Sequence, residues 1–239
     1  MSSRIPTADE RDAIRREGSC PPVGGDPFVL WQLIDSAFPT GGFAHSGGLE
    51  AAWNHGAISN RTALQSWILS SLWQVGNGQL PLVRASWLNP GDLIAVDRFC
   101  EAWTSNHVAS RASRLQGRAL VLAAQRSFPI HLPLRNGPLP FQHFAPVFGA
   151  VAQLLGLDIS TTLRAFLFMH LRSAVASAVR LNIVGPMEAQ AMQHQLGSPS
   201  EAVVQHAMTL NLEDVAQISP LLDIWQAAHD RLQTRLFQT

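Results

Sequence analysis

Residues 160–184 read STTLRAFLFMHLRSAVASAVRLNIV. Leu163, Phe166, Leu167, His170, Leu171, Ala174, Val175, Ala178 and Val179 recur at three- and four-residue spacing, which places them on one wide face of an α-helix. A face that wide needs neighbours on several sides, so the stretch predicts the central helix of a bundle. Outward from it, the same spacing runs from Phe28 to the C-terminus, broken by Gly, Pro and Asn, with little two-residue alternation. Helices are expected at roughly 28–37, 48–57, 61–75, 80–88, 92–105, 107–127, 142–156, 160–184, 186–196, 199–210 and 219–237. Ser198, Pro199, Ser200 and Glu201 read as a capping box with a first-turn proline, and Ser219–Pro220 repeats the cap-plus-proline signal. The expected fold is all-α: a single-domain bundle of about ten helices over 28–239. Residues 1–27 carry five acids and four Arg ahead of or among Pro21, Pro22, Gly24, Gly25 and Pro27, and read as a mobile N-terminal extension.

Composition narrows the chemistry. Of 239 residues, 46% are hydrophobic, enough for a sizeable core. Seventeen basic and seventeen acidic residues cancel, and charged residues make up only 14%, so no field exists to capture nucleic acid or an anionic membrane. Every base is Arg; Lys and Tyr are absent. A Walker-type phosphate loop and Schiff-base chemistry both need Lys and are excluded. Cys20 and Cys100 fit no zinc or redox spacing. The charged N-terminus does not resemble a signal peptide, and no apolar run approaches the ~20 residues of a membrane span, so a cytoplasmic location is expected.

Several residue groups invite a functional reading. Between Pro39 and Glu50, four Gly in eight residues (Gly41, Gly42, Gly47, Gly48) permit positive φ or close backbone approach, and without a Lys the loop reads as structural rather than as a phosphate cradle. Nine His residues show no i, i+4 pair or H-E-x-x-H, so no preformed metal cage is legible. His170, on an apolar face, reads as a hydrogen-bonded core histidine. Arg111, Arg114 and Arg118 line one stripe of the 107–127 helix, either as a solvated face or as a docking strip for an acidic protein surface. Gly117 in that helix implies a neighbouring helix packed closely against it. Arg180, amid apolar residues, is expected in a buried ion pair or on backbone carbonyls. The C-terminal segment ends in Leu232, Leu236 and Phe237 with His229, Arg231 and Arg235 beside them; such a terminus docks on its own core or on a partner.

The stretch LWQLIDSAFPTGGFAHSGGLE at 30–50 closely resembles the N-terminal signature of the urease accessory protein F (UreF) family. SRLQGRAL at 113–120, FGAVAQLLGL at 148–157, AVASAVRL at 174–181 and SPLLDIWQAAHDRLQTRLF at 219–237 resemble the same family in order, covering the chain after residue 27. The resemblance implies an all-α, non-catalytic scaffold that dimerises and joins UreD (UreH in some organisms) to the GTPase UreG. That assembly loads nickel into apo-urease in a GTP-dependent step, with no stably bound cofactor and nickel handled in transit. By matching positions, Arg231, Arg235, Leu236 and Phe237 look like the tail that engages UreD/UreH. Similarly, Asp35, Ser36, Pro39, Gly41, Gly42, Ser46, Gly48 and Glu50 look like the family's most characteristic surface, near the side that receives UreG. One departure falls after Arg180–Leu181: where many bacterial relatives read Gly-Gln-Thr-x-x-Gln, this chain reads Asn182 to Gln190, with only Gly185 and Gln190 in agreement. The rival reading is an all-α hydrolase or lyase using His45 with Asp35 or Glu50 around the Gly-rich loop.

Overall fold

The computed structural model describes residues 25–134 and 137–238. The expected extension over 1–27 therefore lies, up to residue 24, outside the described residues. Among the described residues the chain is all-helical, with ten α-helices and no strand. They are α1 (Pro27–Ile34), α2 (Leu49–Asn54), α3 (Arg61–Leu88), α4 (Leu93–Trp103), α5 (His107–Ser127), α6 (Phe144–Leu154), α7 (Ile159–Arg180), α8 (Pro186–Gln195), α9 (Gly197–Ala207) and α10 (Pro220–Ala228). None is long and apolar enough to cross a membrane.

Helix α7 occupies the expected central place, touching α1, α2, α3, α6, α8 and α9. Leu163, Phe166, Leu167, Leu171, Ala174, Val175 and Ala178 of its apolar face are buried. It starts on Asp158, whose carboxylate accepts the Thr161 N–H at 2.9 Å. It ends four residues before the expected 184 because Asn182 takes a left-handed φ of 57°, returning its N–H to Val179 and that of Ile183 to Ala178. Pro186 then opens α8, so the departure after Leu181 is a stable turn that uses Asn where Gly is usual.

Its long partner, α3, merges the expected helices 61–75 and 80–88 into one, correcting the break expected over 76–79. Neither Gly there is a stop. A Cβ on Gly76 would lie 2.4 Å from Val203 Cγ1, and one on Gly78 2.5 Å from the Trp103 ring, so both permit close packing. Pro81 leaves the Asn77 carbonyl without its helical donor. The Ala216 N–H fills that role at 3.0 Å. Helix α6 lies so tightly on α3 that a Cβ on Gly149 would stand 2.1 Å from the Val83 carbonyl oxygen. Phe144, Phe148 and Phe166 close the seam with ring centroids 5.3–5.9 Å apart.

Two further expectations are corrected. The capping box at Ser198–Glu201 does not form: α9 begins at Gly197, one residue after α8, and no side chain caps it. Glu201 instead meets the Arg164 guanidinium with both oxygens, at 2.7 and 2.8 Å. The close neighbour of Gly117 is backbone of the loop before α6, not a helix; a Cβ there would reach within 1.8 Å of the Gln142 carbonyl. That loop is fixed by the buried Asp97 carboxylate, which accepts the N–H groups of Phe141, Gln142 and His143 at 2.8–3.0 Å.

Candidate functional site

The expected C-terminal helix over 219–237 stops at Ala228. A single 3-10 turn follows at His229–Arg231, and the chain then leaves helical geometry. Helix α10 has no fully buried residue. Polar and close backbone contacts seat it instead: the Gln74 side-chain oxygen accepts the N–H groups of Ile218 and Ser219 at 2.8 and 2.9 Å, and the Asn106 amide donates to the Asp223 carbonyl at 2.8 Å. Trp225 stacks on His55 with centroids 5.7 Å apart. Gly48, at φ 91°, lies where a Cβ would come within 2.8 Å of the Gln226 nitrogen. Here glycine is required by its φ and by the approach of a second backbone.

The Gly-rich loop is suspended from the polar edge of α7. The Arg172 guanidinium donates to the Ile34 carbonyl, Ser173 Oγ to Gly42 at 3.5 Å, and Arg180 to the Phe43 carbonyl. For Arg180 the carbonyl alternative holds and the buried ion pair does not: its side chain is exposed, and its guanidinium donates to the Phe43 carbonyl.

Loop and tail meet at Glu50, which is 3% exposed. Its carboxylate accepts three hydrogen bonds: from the His229 ring Nε2 at 3.0 Å, from the Leu236 N–H at 2.6 Å and from the Phe237 N–H at 3.2 Å. Burying a carboxylate is unfavourable unless donors replace its water, and these three do so. His229 is itself fully buried. Its Nδ1 and the Ser46 hydroxyl have no hydrogen-bond partner among the described residues, so Nε2 is the ring atom that holds the carboxylate. The Gln238 N–H continues the register onto the Ala44 carbonyl at 2.8 Å. Arg180 closes the clasp, its guanidinium 4.2 Å from the Phe237 ring centre.

A charged rim surrounds this floor. Asp230 accepts from Arg111 at 2.8 and 3.3 Å, from His107 at 3.1 Å and from Arg235 at 3.5 Å. Hydrogen bonding from Arg111 and His107 outweighs burial and holds the Asp230 carboxyl below the usual carboxylate range. His45 is pushed down to about 4 by burial, and the Arg111 and His229 charges act in the same direction.

The structure therefore gathers residues read from sequence as two separate surfaces. Glu50 is buried beneath the tail and Gly48 beneath α10, and Ser46 is buried; Gly41 and Gly42 are half-buried; Asp35, Ser36 and Pro39 are exposed. In the tail, Arg231, Arg235 and Leu236 are exposed while Phe237 is 4% exposed. Of the arginine stripe, Arg111 is engaged by Asp230, Arg114 lies 3.4 Å from Glu101, and Arg118 is exposed. The core reading of His170 holds: it meets Ser71 Oγ at 3.1 Å, and burial pushes its pKa down to about 4. Sequence reasoning missed the pairing of Glu50 with His229, 179 positions apart. It also missed His143, held between Ser113 Oγ at 3.1 Å and Glu101 at 2.8 Å. No local pattern announces either.

Among the described residues, no group of three or more His, Cys, Asp or Glu is placed to hold a metal ion. A groove of about 440 Å³ between α7, α8 and α9, lined by Arg164, Phe168, Gln190, His194, Glu201 and Val204 among others, includes none of the loop or tail residues. Large apolar side chains stand in solvent at Phe28, Trp31, Phe43, Leu221, Ile224 and Leu236.

A family model described as UreF matches residues 58–197. Urease accessory protein F of Arabidopsis thaliana is 41% identical over 217 residues, covering 87% of this chain and 90% of the relative. Urease accessory protein F of Oryza sativa subsp. japonica is 38% identical over 218 residues, covering 87% and 84%. Urease accessory protein UreF of Mycobacterium tuberculosis (strain ATCC 25177 / H37Ra) is 32% identical over 211 residues, covering 87% and 97%.

Proposed function

Because this chain belongs to the UreF family of urease accessory proteins, we propose that it serves urease maturation in the cytoplasm as a non-catalytic scaffold. It dimerises and joins UreD/UreH to the GTPase UreG, and the assembly inserts nickel, its cargo, into apo-urease in a GTP-dependent step. Arg231, Arg235, Leu236 and Phe237 form the tail that engages UreD/UreH. The surface built on Asp35, Ser36, Pro39, Gly41, Gly42, Ser46, Gly48 and Glu50 receives UreG, with exposed Arg118 available to an acidic partner. The observation that carries this reading is the clasp at Glu50: two segments each assigned to a different partner share one buried carboxylate. Binding at one can then bias the other, provided each partner favours one arrangement of the loop and tail.

A hydrolase or lyase centred on the same loop fits less well. Glu50 is saturated by donors, Asp35 is exposed and spends an oxygen on the Ala37 N–H at 2.6 Å, and His45, at about 4, is a weak proton acceptor near neutral pH. Truncation before Arg231 tests the scaffold. The shortened chain is expected to keep its helical content and lose binding to purified UreD/UreH; retained binding refutes the tail assignment. Coupling to the nucleotide cycle is checked by titrating UreG loaded with GDP or a GTP analogue, and equal affinities contradict it.

A further inference from the structure

Resting on the reading that the tail receives UreD/UreH, we infer that Glu50 is a positioning residue for that docking: it folds the tail before the partner arrives and decides which tail side chains the partner meets. The argument starts from two consecutive amides. Leu236 and Phe237 each donate to a different oxygen of the one buried carboxylate. With the next N–H held by the Ala44 carbonyl, the backbone is fixed and neighbouring side chains face opposite ways. Leu236 is 52% exposed, whereas Phe237 is 4% exposed and covered by Arg180.

Phe237 is thus an internal anchor, and the surface offered outward is Leu236 with Arg231 and Arg235. Phe43, whose carbonyl receives Arg180 and whose neighbour Ala44 pairs with Gln238, adds a second large apolar side chain on the loop that holds the tail, 72% exposed. The matching partner surface is an apolar socket for Leu236 and Phe43, flanked by carboxylates for the two arginines. A tail ordered in the free chain spares association the entropy of ordering it, so the same residues as a loose peptide bind far more weakly.

The test uses the full chain and purified UreD/UreH. Truncation before Arg231 and Leu236→Glu remove the contact itself and are expected to abolish binding. Glu50→Gln leaves every outward side chain in place but withdraws the charge that holds the two amides; affinity is expected to fall at least tenfold. Cleavage by trypsin after Arg235 is expected to accelerate by a similar factor, with the thermal midpoint little changed. Phe237→Ala, which spares Glu50, gives the same pair of effects and carries the test if Glu50→Gln fails to fold. A synthetic peptide covering 229–239 is expected to compete only at concentrations at least a hundredfold above the affinity of the intact chain. If truncation abolishes binding while Glu50→Gln and Phe237→Ala bind like the unmodified chain, the positioning role is wrong and the tail assignment stands. Undiminished binding by the truncated chain overturns the tail assignment itself.

Discussion

The seam between α3, α6 and α7 and the clasp between the Gly-rich loop and the tail are both buried, yet they are held by opposite means. The seam is apolar and close-packed: Phe148, Leu80, Leu82 and Leu163 are wholly enclosed, and glycine at 149 brings two helix backbones into contact. The clasp has one large apolar anchor, Phe237, under the Arg180 guanidinium, and is otherwise a carboxylate that accepts from an imidazole and two backbone N–H groups, with a third N–H on the Ala44 carbonyl. Apolar packing is nondirectional and hard to exchange for another arrangement. A polar clasp holds one geometry firmly but can be re-paired by a partner that supplies donors. Permanence suits the first region and exchange suits the second.

The largest expected effect breaks the seam. Gly149→Ala drives a methyl into the Val83 carbonyl and is expected to cost about 3 kcal/mol of global stability, measured by urea unfolding. Tolerance of that methyl would mean the two helices are not in contact as described.

Acid sharpens the same comparison. His170 in the seam and His45 in the loop both have folded-state pKa values lowered to about 4. Below the unfolded value of about 6.5, the unfolded chain binds protons that the folded chain refuses. Stability is therefore full above about pH 6.5 and falls as pH drops toward 4, by up to about 1.4 kcal/mol per pH unit for His170. His170→Gln is expected to flatten part of the global dependence. His45→Gln is expected to change instead the acid sensitivity of trypsin cleavage in the tail. Identical effects of the two substitutions would erase the distinction between the regions.

The smallest effect is the most local. Arg180→Ala removes the cation over the Phe237 ring and the donor to the Phe43 carbonyl, and is expected to weaken the closed tail by about 1 kcal/mol. Faster cleavage after Arg235 with an unchanged urea midpoint would bear this out. An equal loss of global stability would place Arg180 in the core economy of the fold instead.

The seam was largely legible in the sequence, and the clasp only in its parts. The face of α7 follows from spacing alone because its neighbours are apolar and any of them satisfies the same pattern. The merging of two expected helices into α3 was hidden, since Gly76, Gly78 and Pro81 obey local rules that Val203, Trp103 and Ala216 override from far along the chain. The tail misled for a related reason. Leu232 and Leu236 keep helical spacing, but the Leu236 and Phe237 amides leave the helix for Glu50. Pairings such as Glu50 with His229, or Asp97 with the 141–143 backbone, depend on where distant segments arrive, and no local spacing encodes that.

Hydrogen exchange of the tail amides in the free chain tests the central claim most directly. If the clasp is formed, the Leu236 and Phe237 amides exchange far more slowly than an unstructured chain does, and Glu50→Gln releases both while amides in α3 and α6 keep their protection. Exchange of those two amides at unstructured rates in the unmodified chain would contradict the account.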